Sequence, residues 1–127
     1  LVPVIADVPE KSLAMIQADL EKIKAQSQTG KFSMAELSGG TFTISNLGMF
    51  NVEQFSSIVN SPQIGILAIG KIKKAAIVNA EDQIVAASVL HPVLTLDHRV
   101  ADGALGARFL TYLCELLEHP LEKLPKE

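Results

Sequence analysis

Two apolar stripes of helical period bracket a middle stretch built for strands, and that order constrains the fold more than any other feature of the chain. Leu13, Ile16, Leu20 and Ile23 recur at steps of three and four, leaving Glu10, Lys11, Asp19, Glu21, Lys22 and Lys24 for the wet face. Leu105, Phe109, Leu110, Leu113, Leu116 and Leu117 repeat the pattern near the other end, stopped near His119-Pro120. Between them, Thr41 to Ser45 alternates, with Phe42 and Ile44 on one face and Thr41, Thr43 and Ser45 on the other. Ile64 to Ile69, Ala75 to Val78 and Ile84 to Leu96 are rich in β-branched residues, the last broken at His91-Pro92. The predicted class is α/β, an α+β sandwich with a mixed β-sheet flanked by helices.

The flanking segments carry finer expectations. Leu1 to Ala6 reads as a strand, with Pro3 pointing to an edge or end position. A helix follows at once, with Pro9 in its first turn, and runs to about Gln26. Gln28-Thr29-Gly30 breaks it. Ser33-Met34-Ala35-Glu36 has capping-box spacing for a short second helix, ended by Gly39-Gly40. Asn46 to Asn60 reads as a long shaped loop anchored by Phe50, Phe55, Ile58 and Val59, with Gly48 permitting a tight turn. The tail from Glu122 to Glu127 is polar and expected to be loose.

Composition excludes several function classes. With 127 residues, almost half of them apolar, the chain is expected to bury one core as one domain. The net charge is −3, and Lys71, Lys73 and Lys74 have no aromatic interleaving, so nucleic acid is not an expected partner. Cys114 stands alone, which rules out an intrachain disulfide and fits a reducing compartment. The longest apolar run, near Ile64 to Ile69, is too short to span a bilayer, and no charged-then-apolar leader opens the chain. A soluble, intracellular protein is the expectation. The abrupt opening on Leu1-Val2-Pro3-Val4-Ile5 suggests that something preceded it.

The chemistry concentrates in Asp97-His98-Arg99-Val100-Ala101-Asp102-Gly103, where an imidazole and a carboxylate stand four residues apart as a strand gives way to a helix. The same spacing also fits a surface histidine followed by a helix-capping aspartate. Ser45 stands 53 positions earlier (98 minus 45), so only the fold or an oligomer brings the two together. Nothing like a G-x-S-x-G elbow surrounds Ser45, which suits a hydrogen-bond donor to a developing oxyanion better than a nucleophile. His91, His98 and His119 are scattered and one cysteine gives no zinc spacing, so no metal is expected. Gly39-Gly40 lacks the lysine of a phosphate cradle. Acid–base work by His98 is what remains.

Three runs in order then carry a resemblance: Gly39-Gly40-Thr41-Phe42-Thr43-Ile44-Ser45-Asn46-Leu47-Gly48-Met49-Phe50; Asn60-Ser61-Pro62-Gln63 with Ile66-Leu67-Ala68-Ile69-Gly70; and Asp97 through Gly103. Together they resemble the acyltransferase component of 2-oxo acid dehydrogenase complexes, a chloramphenicol-acetyltransferase-like fold. The Ser45-Asn46-Leu47-Gly48-Met49-Phe50 form resembles the acetyl-transferring, pyruvate-type branch, whereas succinyl-transferring relatives tend to carry T-N-G-G. The resemblance covers essentially all of residues 1–127 but only about the C-terminal half of the family's catalytic domain; the family's lipoyl and partner-binding domains are absent from the sequence.

The resemblance implies roles for particular residues. His98 would take a proton from the thiol of coenzyme A or dihydrolipoamide, Ser45 would donate to the tetrahedral oxyanion, and Asp102 would orient the loop. Coenzyme A would be a substrate, and the lipoyl group would arrive on a separate domain. The family's subunits form homotrimers with the active site between neighbours, so Ser45 and His98 would come from different chains. Trimers assemble into cubic or icosahedral cores that bind 2-oxo acid dehydrogenase and dihydrolipoamide dehydrogenase components. The family often ends in an apolar segment that docks on the next trimer, whereas this sequence ends Leu124-Pro125-Lys126-Glu127. Two other readings stand beside the catalytic one. A non-catalytic core subunit tends to lose the histidine, and a small-molecule acetyltransferase of the chloramphenicol type typically has a second histidine where Asp97 stands.

Overall fold

A computed structural model describes residues 1–123, and these fall into two compact units, residues 1–41 and 42–123. The first unit is built on α1 (Leu13–Thr29). Ser12 starts it, its side chain accepting from the Met15 N–H at 3.3 Å, and Gly30 ends it in the left-handed region (φ 67) with its N–H on the Gln26 carbonyl at 3.0 Å. The helix therefore runs three residues beyond the predicted Gln26. Its start is also later than the sequence suggested: Pro9 sits in a separate 3-10 turn, Val8–Glu10, and extended backbone at Lys11 interrupts the two. Ile16 and Ile23 of the predicted stripe are half-buried, Leu13 and Leu20 exposed.

Leu1 to Ala6 forms no strand, contrary to expectation; a strand needs a partner ladder, and this segment makes one such bond, from the Val4 N–H to the Glu36 carbonyl at 2.8 Å. The capping-box expectation is met in its bonds and exceeded by nothing longer. Glu36 accepts from the Ser33 N–H at 2.9 Å and Ser33 Oγ accepts from the Glu36 N–H at 3.3 Å, around a single 3-10 turn, Ala35–Leu37.

The second unit holds five strands. β1 (Phe42–Asn46) pairs parallel with β2 (Gly65–Ile69), and β2 pairs antiparallel with β5 (Val93–Leu96), giving a mixed sheet in the order β1-β2-β5. β3 (Lys73–Val78) and β4 (Ile84–Val89) form a separate antiparallel hairpin, so the predicted break at His91-Pro92 is real. Ile66 and Leu67 point to opposite faces and both are buried, so central β2 is covered on both sides. Each such side chain contributes about 1.5–3 kcal/mol.

α2 (Gly103–Glu118) lies on one face. Phe109 meets Phe42 with ring centroids 5.9 Å apart, and Leu94 and Leu96 reach against buried Gly106, where a Cβ would stand 2.8 Å from Leu96 Cδ1. This cover stops short of Ile44, which shares the Phe42 face but is 68% exposed. Pro120 then opens a four-residue α3 (Pro120–Lys123), so Glu122 and Lys123 belong to a helical turn rather than the predicted loose tail. Leu124 to Glu127 lie outside the described residues.

Two of the expected loop anchors fail. Phe50 and Ile58 are 69% and 94% exposed, while Phe55 and Val59 are half-buried. Backbone contacts hold the loop instead: Leu47 N–H on the Ile69 carbonyl at 3.0 Å and Lys71 N–H on the Val52 carbonyl at 2.7 Å. Gly70 is indispensable here, because a Cβ on it would stand 1.9 Å from the Glu53 carbonyl oxygen. Gly48 serves the same close approach, since a Cβ there would meet the Gly70 oxygen at 2.9 Å, and the left-handed turn residue is Asn51 (φ 63).

Candidate functional site

Ser45 is the fourth residue of β1, half-buried, on the face opposite α2. Thr43, two residues earlier on that face, donates its hydroxyl to Oε1 of buried Gln63, which ties the strand to the end of the Asn46 to Gln63 loop. Immediately after Ser45 the chain turns: Asn46 Oδ1 accepts the Gly48 N–H at 2.9 Å. An open groove of about 510 Å³ adjoins this end of the sheet, lined by Asn46, Met49, Ile69, Lys71, Ile72 and Leu90 among others. Lys71 donates to Asn51 Oδ1, and Lys73 pairs with Glu53, whose carboxyl is held below its usual value chiefly by that hydrogen bond.

His98 sits at the opposite end. The ladder closes with Asp97, whose N–H donates to the Ile64 carbonyl at 3.0 Å; the Asp97 carbonyl then accepts the Val100 and Ala101 N–H groups at 2.9 and 3.1 Å, reversing the chain. His98 projects from the exposed corner of this turn, and buried Ala101 fixes its exit. Asp97 also accepts from Arg99 through the backbone N–H (3.0 Å), Nε (2.9 Å) and Nη2 (2.5 Å). Those bonds, the Arg99 side chain foremost, lower the Asp97 carboxyl to about 2 and raise the Arg99 guanidinium.

Asp102 caps α2. Its Oδ1 accepts the Leu105 N–H at 2.8 Å, satisfying one of the orphan donors of the helix start. Among the described residues no hydrogen bond joins His98 to Asp102; the carboxylate fixes where the helix begins, and so where the loop carrying His98 ends. No group of three or more His, Cys, Asp or Glu close enough to hold a metal occurs among the described residues.

Register decides what the structure does and does not bring together. Ser45 lies opposite Ala68, which pairs with Val93, whereas His98 lies five residues beyond Val93, past the Phe42–Gly65–Leu96 rung. At 3.3 Å per residue and 4.8 Å per strand, the Ser45 and His98 Cα atoms of one chain stand about 15–20 Å apart. Within a chain, His98 and Asp102 are neighbours and Ser45 is not. The Asp97–Arg99 pair is not visible in the spacing of His98 and Asp102; its local signal is an aspartate two residues before an arginine at a strand end.

This mixed α/β architecture is that of acyltransferase catalytic cores. It matches the structure of Azotobacter vinelandii dihydrolipoamide acetyltransferase with a TM-score of 0.87 and 35% identity, covering 94% of this chain and 49% of that one. It matches the cubic core of a pyruvate dehydrogenase multienzyme complex with a TM-score of 0.85 and 34% identity, covering 92% and 48%. A family profile described as 2-oxoacid dehydrogenases acyltransferase (catalytic domain) matches residues 1–124, and the chain belongs to that family. Relatives include the dihydrolipoyllysine-residue acetyltransferase components of the pyruvate dehydrogenase complex from Rickettsia typhi (38% identical; 94% of this chain, 29% of that protein) and, mitochondrial, from Schizosaccharomyces pombe (41%; 96% and 26%). The chain thus spans less than a third of these curated relatives and about half of the solved chains.

Proposed function

We propose that residues 1–127 are the C-terminal part of an acyltransferase catalytic domain that moves an acetyl group between dihydrolipoamide and coenzyme A in a pyruvate-type 2-oxo acid dehydrogenase complex. The observation that carries this is the paired architecture of the sheet: an exposed imidazole on a pinned turn at one end and a strand-end hydroxyl at the other, in a chain of this family. His98 accepts the proton of the incoming thiol; the thiolate attacks the thioester carbonyl carbon, and the tetrahedral oxyanion receives a hydrogen bond from Ser45. Collapse breaks the old carbon–sulfur bond, and the departing thiolate takes the proton back from His98.

A base and an oxyanion donor must each reach within about 3 Å of one tetrahedral centre. Ser45 and His98 of one chain are too far apart for that, which supports a site completed by two chains of a homotrimer. Asp102 holds the loop by capping α2. The histidine and asparagine investigated for their catalytic role in the Azotobacter vinelandii enzyme stand four residues apart, as His98 and Asp102 do; this chain carries the acid in place of the amide. Coenzyme A and dihydrolipoamide are substrates, the latter presented on a separate lipoyl domain, and the trimers build a larger core that meets the dehydrogenase components. The bacterial and mitochondrial relatives support the cytoplasm or matrix as its place, and no helix among the described residues is long and apolar enough to cross a membrane.

The test is acetyl transfer from acetyl-coenzyme A to free dihydrolipoamide, with His98→Ala alongside and oligomer mass measured for both. Loss of transfer in the variant with mass unchanged is the expected result; equal activity in the two sinks the mechanism.

A further inference from the structure

The turn that presents His98 is organised around a single neighbouring residue. Asp97 is the last residue on the ladder through its N–H to the Ile64 carbonyl, and its own carbonyl accepts two amides, from Val100 and Ala101. Its carboxylate reaches past His98 to the Arg99 backbone N–H, Nε and Nη2. Before His98, Asp97 is therefore fixed to the ladder, and after it Arg99 is fixed by bonds to Asp97, while the imidazole makes no hydrogen bond among the described residues. Arg99 is exposed, and an ion pair so placed contributes little to global stability. Its effect is geometric: the fork clamps a turn of four residues whose corner is His98.

We propose that Asp97, through its fork to Arg99 and the turn it closes, is the positioning residue that sets where the His98 imidazole stands. The inference rests on the reading of His98 as base and adds to it a residue that touches neither substrate. The carboxylate is ionised through the neutral range as any aspartate is, and its hydrogen bonds from Arg99, which lower it to about 2, extend that charge to acid pH, so the clamp is closed wherever the imidazole is to act. Asp102 secures the far end of the same loop, so His98 is suspended between two carboxylates that each bond to backbone amides.

The experiment compares Asp97→Ala, Asp97→Asn, His98→Ala and the double variant Asp97→Ala/His98→Ala. In the acetyl transfer assay, Asp97→Ala is expected to lower kcat about a hundredfold, the effect of misplacing a reacting group by about 1 Å, with KM for both substrates unchanged. Asp97→Asn keeps an acceptor for the Arg99 N–H but loses the charge, and falls between. Adding Asp97→Ala to His98→Ala costs nothing more. Amide exchange at Val100 and Ala101 reads the turn without turnover: protection falls in Asp97→Ala and persists in His98→Ala. Circular dichroism confirms that each variant is folded, and if Asp97→Ala unfolds, Asp97→Asn carries the same comparisons. Unchanged kcat in Asp97→Ala beside an inactive His98→Ala, or unchanged protection at the two amides, overturns the positioning role alone. Full activity in His98→Ala overturns the base and leaves the exchange result to judge the clamp.

Discussion

Mixing two inactive variants is expected to restore activity, because the hydroxyl and the imidazole of one chain stand at opposite ends of the sheet. The register puts Ser45 level with Val93 and His98 five residues further on, a separation of about 15–20 Å, whereas both groups must lie within about 3 Å of the reacting atoms. His98→Ala chains still carry Ser45, and Ser45→Ala chains still carry His98. In a cyclic trimer assembled at random from equal amounts, the chance that a site draws the intact partner from each side is one half twice over, so about one quarter of wild-type sites are whole. Loss of one oxyanion donor costs about 3 kcal/mol, so Ser45→Ala alone retains on the order of 1%. The contrast to be read is therefore about 50-fold, between chains unfolded and refolded together and the same chains mixed in equal amounts without exchange, where Ser45→Ala supplies half the chains at about 1% and His98→Ala almost nothing. Activity in the co-refolded sample no higher than the mean of the two variants would refute the shared site.

Three further outcomes follow from local geometry. Gly70→Ala is expected to cost about 1–3 kcal/mol, read in urea unfolding, because its Cβ meets the Glu53 carbonyl oxygen at 1.9 Å; a midpoint equal to wild type refutes the tight approach. Asp102→Ala loses the cap of α2 and about 1 kcal/mol, while Asp102→Asn retains the acceptor and loses only tenths; equal losses in the two exclude capping. Asp97 and Glu36 both have carboxyl groups lowered to about 2, the first by Arg99 and the second by the Gln26 side chain, then Ser33. Since the folded values lie below ordinary carboxylate values, their stabilisation is complete above pH 4.5 and lost as pH falls toward 2; carboxylate carbon shifts with midpoints near 4 for both contradict it.

Local chemistry was legible and pairing was not. The alternation of Phe42 to Ser45, the cap at Asp102 and the reciprocal Ser33–Glu36 bonds depend on residues within four positions of each other, and all three formed. The strand expected at Leu1 to Ala6 failed because propensity cannot supply a partner, and Phe50 and Ile58 failed as anchors because an apolar side chain does not specify what covers it. The two-ended placement of Ser45 and His98 was reachable from the family resemblance but not from spacing, since only the register of three strands fixes it. Asp97 stood in the motif, but its fork to Arg99 was not legible, because two charged residues flanking a histidine meet only once the turn folds them to one side.

The sheet order has a kinetic consequence. Every β1–β2 pair joins residues 23 apart (65 minus 42), and the β2–β5 pairs join residues 25 to 31 apart, so no two neighbours in the three-stranded sheet are connected by a hairpin. The β3–β4 hairpin, closed by Asn79 through Gln83, can form within about 1–10 μs on its own. The sheet must wait for two long loops to close around β2 before any burial rewards them, which makes its assembly the slow step and leaves the Ile66–Ala68 core open to solvent until both edges arrive.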